Sequence, residues 1–196
     1  MSEKRLLHRG RHLAFVEREG WEYVDRPGVT GIAVVVAVTD DARLVLVEQR
    51  RPPVDARVVE LPAGLCGDEA GSADEALEEA ARRELLEETG WEAREVERLT
   101  AGPPSAGVSS EVLTFFRARG LVRRGRGGGV AGERIDVWEV PLADVGGWLL
   151  AREAEGVLVD PKVWAGLWFA VHGGTRRRQG APPHPGSPFP PATPSV

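Results

Sequence analysis

Three glutamates stand close together near the middle of the chain, at positions 84, 87 and 88. If this segment is helical, their side chains share one face, because residues three and four apart on a helix are neighbours. Three like charges there repel one another, so we expect a cation among them. Carboxylate oxygens suit hard cations, and Mg²⁺ in proteins is usually held by a few carboxylates and by substrate phosphates. The spacing predicts metal-assisted phosphate chemistry, with a solvated acidic helix face as the alternative.

The residues around these glutamates resemble the Nudix box. That motif runs glycine, five residues, glutamate, seven residues, Arg-Glu, an aliphatic residue, any residue, Glu-Glu, any residue, glycine and an aliphatic residue. The matching positions are Glu75, Arg83-Glu84-Leu85, Glu87-Glu88 and Gly90-Trp91. Six positions before Glu75 the chain has Glu69 instead of glycine. The motif glycine is therefore assigned to Gly64, with five residues inserted within 65–74.

The resemblance implies a fold, a cofactor and roles for the motif residues. The fold is α/β, a Nudix α/β/α sandwich around a mixed sheet, and the cofactor is Mg²⁺, with Mn²⁺ as the alternative. Glu84, Glu87 and Glu88 would be metal ligands, with the carbonyl of Ala63 as a further one. Arg83 would hold the glutamates in place by charge-assisted hydrogen bonds.

The segments flanking the box resemble the ADP-ribose pyrophosphatase branch of the family. Its Gln-x-Arg-Pro and Glu-Leu-Pro-Ala-Gly elements correspond to residues 49–52 and 60–64. The resemblance assigns Arg51 and Glu60 to substrate binding. A guanidinium fork such as that of Arg51 can pair with a phosphate. A surface salt bridge is the alternative role for Arg51. The loop before Glu111 resembles that branch's Ser-Pro-Gly-x-x-x-Glu loop with its proline displaced, which places Glu111 at the ribose or the diphosphate.

Two further residues receive roles from the resemblance. Trp21 matches a tryptophan that stacks on adenine in some dimeric members, sometimes across the dimer, although a tryptophan in a strand is often part of the core. Glu133 follows the glycine-rich loop 125–132, where related enzymes carry a general base on a mobile loop. The base could equally be Glu87 or Glu88. The loop itself is expected to be too rich in glycine to pack, with a plain linker or an RGG-like nucleic-acid contact as alternatives.

Hydrophobic periodicity and turn signals predict the elements that position these residues. A hairpin is expected over 12–26 around Glu19-Gly20, and the acidic helix from a Ser72–Glu75 capping box to Thr89, ended by Gly90. Further helices are expected to begin at Asp144 and at Asp160-Pro161. Strands are predicted at 31–38, 43–49, 57–61, 92–99, 111–118 and 135–140. The last helix should bury its apolar residues Trp164, Leu167, Trp168 and Val171.

Composition limits the other possibilities. The 196 residues, 42% hydrophobic, suit one core. The single cysteine, Cys66, excludes an internal disulfide framework and is expected in a loop. A net charge of −5 argues against nucleic acid as a partner. No apolar run suits a membrane helix or a signal peptide, so we expect a cytoplasmic protein. We divide the chain into an N-terminal β element (1–28) that makes a homodimer, a Nudix domain (29–172) and a disordered proline-rich tail (173–196).

The predicted activity is Mg²⁺-dependent hydrolysis of ADP-ribose, a small-molecule nucleotide, to AMP and ribose 5-phosphate. Another nucleotide sugar, FAD or a dinucleoside polyphosphate is an alternative substrate, because the metal helix contacts only the diphosphate. A non-catalytic nucleotide-binding sensor of the same family is an alternative from a different class. An isoprenoid-diphosphate isomerase would need a suitably placed cysteine and metal-binding histidines, which we do not find.

Overall fold

The computed structural model describes residues 3–67, 76–129, 132 and 134–173. No helix within these ranges has the length and apolar character needed to cross a membrane. The strands are β1 (Arg5–Arg9), β2 (Ala14–Arg18), β3 (Trp21–Asp25), β4 (Gly31–Ala37), β5 (Arg43–Arg51), β6 (Ala56–Glu60), β7 (Ala63–Cys66), β8 (Trp91–Gly102), β9 (Leu113–Arg123), β10 (Asp136–Pro141) and β11 (Leu158–Val159). The helices are α1 (Leu77–Thr89), α2 (Val145–Ala154) and α3 (Pro161–His172), and a short 3-10 turn spans Pro52–Val54.

These strands form two four-stranded sheets and one three-stranded sheet. The sheet of order β7-β4-β9-β8, here called the mixed sheet, has β4 parallel to β9 and antiparallel to β7. The second sheet has the order β10-β5-β6-β11, and the N-terminal sheet has the order β1-β2-β3. The predicted mixed-sheet α/β architecture is confirmed, with its strands divided between two packed sheets.

Strand β4 is apolar on both faces because both faces of the mixed sheet are covered. Val34 and Val36 belong to a core cluster shared with the second sheet and with α2 and α3. Ala33, Val35 and Ala37, on the opposite face, pack in a cluster with α1 and β8. A continuous apolar run is what a strand buried on both faces requires. The mixed sheet therefore separates α1 from α2 and α3, which is the predicted sandwich.

Local signals place several element ends correctly. The β2–β3 turn lies at Glu19 and Gly20, both with positive φ, and α1 ends at Gly90 with φ 74°. The helix α3 begins as expected, because the Asp160 carboxylate accepts a hydrogen bond from the Lys162 N–H at 2.8 Å. The predicted cap Ser72 and its partner Glu75 lie outside the described residues, and α1 begins only at Leu77, after an extended Ala76.

Other expectations are wrong. The predicted hairpin is present as β2 and β3, but the prediction lacks a third strand, the mostly exposed β1, which pairs with β2. Cys66, expected in a loop, instead lies in strand β7 and is buried. Helix α3 buries Val163 and Gly166, and it leaves Trp164, Trp168 and Val171 exposed.

Candidate active site

Helix α1 packs on one face of the mixed sheet, and its predicted acidic face lies near the edge strand β7. Its apolar residues Ala80, Ala81 and Leu85 are fully buried against the sheet. The carboxylates of Glu84 and Glu88, one position before and three after Leu85, turn toward strand β7. The burial of the apolar face therefore fixes which way the glutamates point, as expected for an amphipathic helix.

Strand β7 passes close to the glutamates at Gly64. A Cβ atom on Gly64 would overlap the carboxyl group of Glu84. The adjacent Ala63 N–H donates a hydrogen bond of 3.1 Å to Oε2 of Glu88. The backbone of Ala63 thus lies beside Glu88, and the ligand role of its carbonyl stays a prediction. The absence of a side chain at Gly64 leaves room for Glu84.

Arg83 joins the glutamates to one another and to the strand. Its Nη1 group donates to Glu84 Oε1 at 2.8 Å and to Glu87 Oε2 at 3.3 Å. Its Nη2 group donates to the carbonyl of Leu65 at 3.0 Å. The guanidinium plane spans three acceptors that point in different directions, which a lysine ammonium group on one stem does less well.

Glu88 is the most deeply buried of the three glutamates. Burial, together with the negative charges of Glu84 and Glu60, raises the pKa of Glu88 to about 8, against the opposing hydrogen bond from Ala63. A buried carboxylate among other carboxylates is costly in its charged form. The same environment becomes favourable when a cation neutralises the group.

A second pair, Arg51 and Glu60, extends the site from the second sheet. Arg51 Nε donates to Glu60 Oε2 at 2.7 Å across the β5–β6 pair. Burial opposes the charge of Arg51, but the hydrogen bond to Glu60 and the charges of Glu60, Glu88 and Asp160 raise its pKa above the usual range. Arg51 therefore forms a partly exposed salt bridge with Glu60, and the charge of Glu88 also acts on it.

Asp160 is a neighbour of this site, although the sequence predicts it only as a helix cap. Its backbone N–H donates to the Val59 carbonyl at 3.0 Å, since β11 runs parallel to β6 and ends beside it. That pairing brings the start of α3 next to Arg51. A two-residue strand between two helices offers no periodicity that would reveal it in the sequence.

The donor set suits a hard divalent cation. Glu84, Glu87 and Glu88 contribute oxygen donors, with Glu60 close to Glu88, and all-oxygen sites favour Mg²⁺ or Mn²⁺. In the ranges that the structure describes, no three acidic, imidazole or thiol side chains already stand close enough to enclose an ion. Arg83 instead bridges Glu84 and Glu87. The residues fit a metal by their chemistry and by their shared face.

The glycine-rich loop packs against the end of α1, contrary to expectation. Gly128 N–H donates to the Glu88 carbonyl at 2.8 Å, and Gly129 N–H to the Glu87 carbonyl at 3.2 Å. Backbone donors meet helix carbonyls that would otherwise lack partners. The predicted base Glu133 lies outside the described residues, so its role stays a prediction.

Trp21 and Glu111 both lie near the loop before β9. Trp21 is 67% exposed, which excludes the core alternative, and it approaches the loop at Gly107. Glu111 accepts a hydrogen bond of 2.8 Å from Arg26 Nε. Both residues therefore belong to the region where the N-terminal sheet meets the loop before β9, bridged by Val24 and Ser109.

Cavity size does not locate this site. A cavity of about 470 Å³ lies between β8, β9 and α3, and is lined by Arg117, Trp168 and His172 among others. It includes none of the α1 glutamates. Charge and backbone geometry identify the acidic face better than volume does, because a site for a metal and a diphosphate can be open to solvent.

Sequence comparisons match this chain to a family model and to several known proteins. A family model described as the NUDIX domain matches residues 29–163. The chain is 37% identical over 124 residues to an ADP-ribose pyrophosphatase of Bacillus subtilis (strain 168), covering 63% of each chain. It is 35% identical over 122 residues to a methanol dehydrogenase activator of Bacillus methanolicus, covering 62% of each. The matches therefore span less than two thirds of these two relatives.

Two further comparisons extend over more of the chain. A GDP-mannose pyrophosphatase of Cronobacter sakazakii (strain ATCC BAA-894) is 31% identical over 155 residues, 75% of each chain. A solved structure of an ADP compounds hydrolase superposes with a TM-score of 0.62 at 21% identity, covering 87% of this chain and 90% of the other. At that identity the superposition supports the fold alone.

Proposed function

Because the chain belongs to the NUDIX family, we propose that it is a divalent-metal-dependent pyrophosphohydrolase that cleaves ADP-ribose to AMP and ribose 5-phosphate. One observation carries the proposal. The charges of Arg51 and Glu60 both act on Glu88, so a group suited to phosphate lies within electrostatic range of a group suited to a metal.

Arg51 is suited to bind the diphosphate. Within the described part of the chain, Glu60 bonds its Nε group, and the two terminal nitrogens remain as a fork for phosphate oxygens. Glu60 is largely buried, so it fixes the direction of the guanidinium group. We propose that Glu60 acts on the substrate through Arg51.

The α1 glutamates supply the second half of the chemistry. Glu84, Glu87 and Glu88 would hold the cation, with Arg83 keeping Glu84 and Glu87 in position. A bound divalent cation neutralises diphosphate charge and lowers the pKa of water. Glu133, Glu87 or Glu88 takes the proton of the attacking water, and in-line attack at one phosphorus expels the other phosphate.

Two observations support ADP-ribose as the substrate. The segments at 49–52 and 60–64 resemble the ADP-ribose pyrophosphatase branch, and a relative with that printed activity is 37% identical. We further propose that Trp21 stacks on adenine from a partner subunit of a homodimer, since its ring is largely exposed at the N-terminal sheet.

A second candidate is hydrolysis of another nucleotide sugar. The relative that covers the larger share of this chain is a GDP-mannose pyrophosphatase. The residues proposed to bind the metal and the diphosphate would serve both substrates, because their proposed partners are groups that both substrates share.

The test is product analysis with purified protein and Mg²⁺ against ADP-ribose, GDP-mannose, FAD, dinucleoside polyphosphates and oxidised nucleoside triphosphates. We expect ADP-ribose to be cleaved fastest, with AMP as a product, and Glu87→Gln to be inactive. Faster cleavage of another compound would overturn the substrate assignment. Binding without cleavage of any compound would overturn the enzymatic proposal in favour of a nucleotide sensor.

A further inference from the structure

The segment Gly125–Gly129, here called the glycine segment, closes the C-terminal end of α1. The last carbonyls of a helix have no partner within the helix. Here two of them, those of Glu88 and Glu87, accept hydrogen bonds from Gly128 and Gly129 at 2.8 and 3.2 Å. These are the backbone groups of the same two residues whose carboxylates are proposed to bind metal.

The segment can approach the helix end this closely only because glycine is present in both, at Gly127 and at Gly90. Gly127 has a φ of 68°, and a Cβ atom there would overlap the carbonyl carbon of Thr89 and lie 2.6 Å from the Glu88 oxygen. A Cβ atom on Gly90 would in turn lie 2.8 Å from the Gly127 N–H nitrogen. Any larger side chain at Gly127 must push the glycine segment away from the helix.

Arg123 shapes the glycine segment from the sheet side. Its guanidinium group donates to the Gly125 carbonyl at 2.5 Å and to the Arg126 carbonyl at 3.3 Å. The same group pairs with Glu139 at 2.6 Å and lies 5.1 Å from the centre of the Trp91 ring. Trp91 Nε1–H also donates to Glu139 at 3.1 Å. The glycine segment is thus attached both to β8 and β10 and to α1.

We infer that the glycine segment is a positioning element for Glu87 and Glu88. Terminal helix turns fray unless their carbonyls are bonded, and Glu87 and Glu88 lie in the last turn of α1. Bonds to their carbonyls hold this turn in helical geometry, and this fixes where the two carboxylates stand relative to Ala63. The inference rests on the proposed function, in which these carboxylates bind a divalent cation.

Three glycine-to-alanine variants separate positioning from general destabilisation. Gly127→Ala introduces both an unfavourable φ and the overlap with α1. Gly156→Ala introduces a similar φ, 83°, with no atom within 4 Å, and lies after α2. Gly125→Ala changes the same segment without a positive φ or a close neighbour. Thermal unfolding, Mn²⁺ binding by calorimetry and the Mn²⁺ dependence of turnover are measured for each.

We expect Gly127→Ala to weaken Mn²⁺ binding by about 10- to 100-fold, as loss of residues that orient metal ligands usually does. Excess Mn²⁺ should restore part of its turnover. Gly156→Ala should lose some thermal stability through its φ alone, with unchanged Mn²⁺ affinity, and Gly125→Ala should match the wild type. Equal Mn²⁺ affinity for Gly127→Ala and the wild type would overturn the inference.

If Gly127→Ala does not fold, Arg123→Lys provides the second test. It keeps the charge and loses the fork that binds the two segment carbonyls, and Arg124→Lys, at an exposed pair with Glu92, is its control. Weaker Mn²⁺ binding in Arg123→Lys alone supports the inference, and equal binding in both variants overturns it. Failure of the wild type itself to bind Mn²⁺ would instead reject the proposed function.

Discussion

The carboxyl group of Glu84 occupies the position where a side chain on Gly64 would begin. Glycine at position 64 therefore allows strand β7 to contact the acidic face of helix α1 directly. The motif glycine thus has a steric role that is independent of backbone conformation, since Gly64 is not among the residues with positive φ.

Gly64→Ala should displace Glu84 and lower kcat by about 100-fold, because misplacement of a reacting group by about 1 Å has effects of this size. Gly102→Ala is the control, since a Cβ atom there meets no atom within 4 Å. Steady-state kinetics with the preferred substrate would decide the point. Wild-type kcat in Gly64→Ala would show that the acidic face tolerates the shift.

Arg83→Lys should weaken metal binding at the proposed site while the fold persists. The variant keeps a positive charge but cannot bridge Glu84, Glu87 and the Leu65 carbonyl together. We expect the Mg²⁺ concentration for half-maximal activity to rise about 10-fold or more. Arg82→Lys, whose parent side chain bonds the Ala93 carbonyl away from these glutamates, is the matched control. Identical Mg²⁺ curves for the two variants would contradict this role of Arg83.

Glu88 should make the metal-free protein less stable as the pH rises. Burial and the charges of Glu84 and Glu60 raise its pKa to about 8 from an ordinary 4.5. The folded protein holds the proton between these values while the unfolded chain releases it. The group's contribution to stability is therefore complete below about pH 4.5 and lost as the pH rises through about 8.

Glu88→Gln removes this dependence and tests it directly. In the presence of a chelator, the Tm of Glu88→Gln minus that of the wild type should increase between pH 6 and pH 9. A constant difference over this range would show that Glu88 does not titrate there. The variant should also be inactive, because an amide does not replace a carboxylate that binds metal.

Glu48 should stabilise the protein most above its pKa. Burial opposes its charge, but hydrogen bonds and charges from Arg57 and Arg152 lower its pKa, and Trp138 Nε1–H also donates to it. Its contribution is present above the ordinary carboxyl pKa and is lost as the pH falls through the lowered value. Glu48→Gln should lower the free energy of unfolding at pH 7 by about 3 kcal/mol.

Urea unfolding of Glu48→Gln at pH 7 and at about pH 3 would measure this effect. The difference from the wild type should shrink at the lower pH. Glu92→Gln, which removes an exposed ion pair with Arg124, should change stability by less than about 1 kcal/mol. Equal effects of the two substitutions would show that the buried network of Glu48 contributes no more than a surface pair.

Trp21→Ala should raise KM for ADP-ribose by about 10-fold with little change in kcat, as expected for loss of a base-stacking surface. Trp168→Ala is the control, because that ring is also exposed, at 57%, and lies on α3. Light scattering of both variants reports whether the protein is a dimer and whether Trp21 affects it. An unchanged KM would reject the adenine role.

The local elements could be predicted because their signals lie within a few residues. Helical spacing put Glu84, Glu87 and Glu88 on one face, Gly90 marked the end of α1, and the glycine turn marked the β2–β3 connection. The fold class and the family also followed from residue order alone, and the comparisons confirm both. The group of Arg83, Glu84 and Glu87 within α1 is a consequence of helix geometry.

Tertiary structure decided everything that depends on a partner far away in the chain. Strand β7 exists because it pairs with β4, and Asp160 approaches Arg51 because β11 pairs with β6. The glycine segment bonds α1 although its composition predicted no packing, and α3 turns its tryptophans outward because Val163 and Gly166 fill the core. Short-range periodicity carries no information on these contacts, since each depends on which distant surface is available once the sheets have formed.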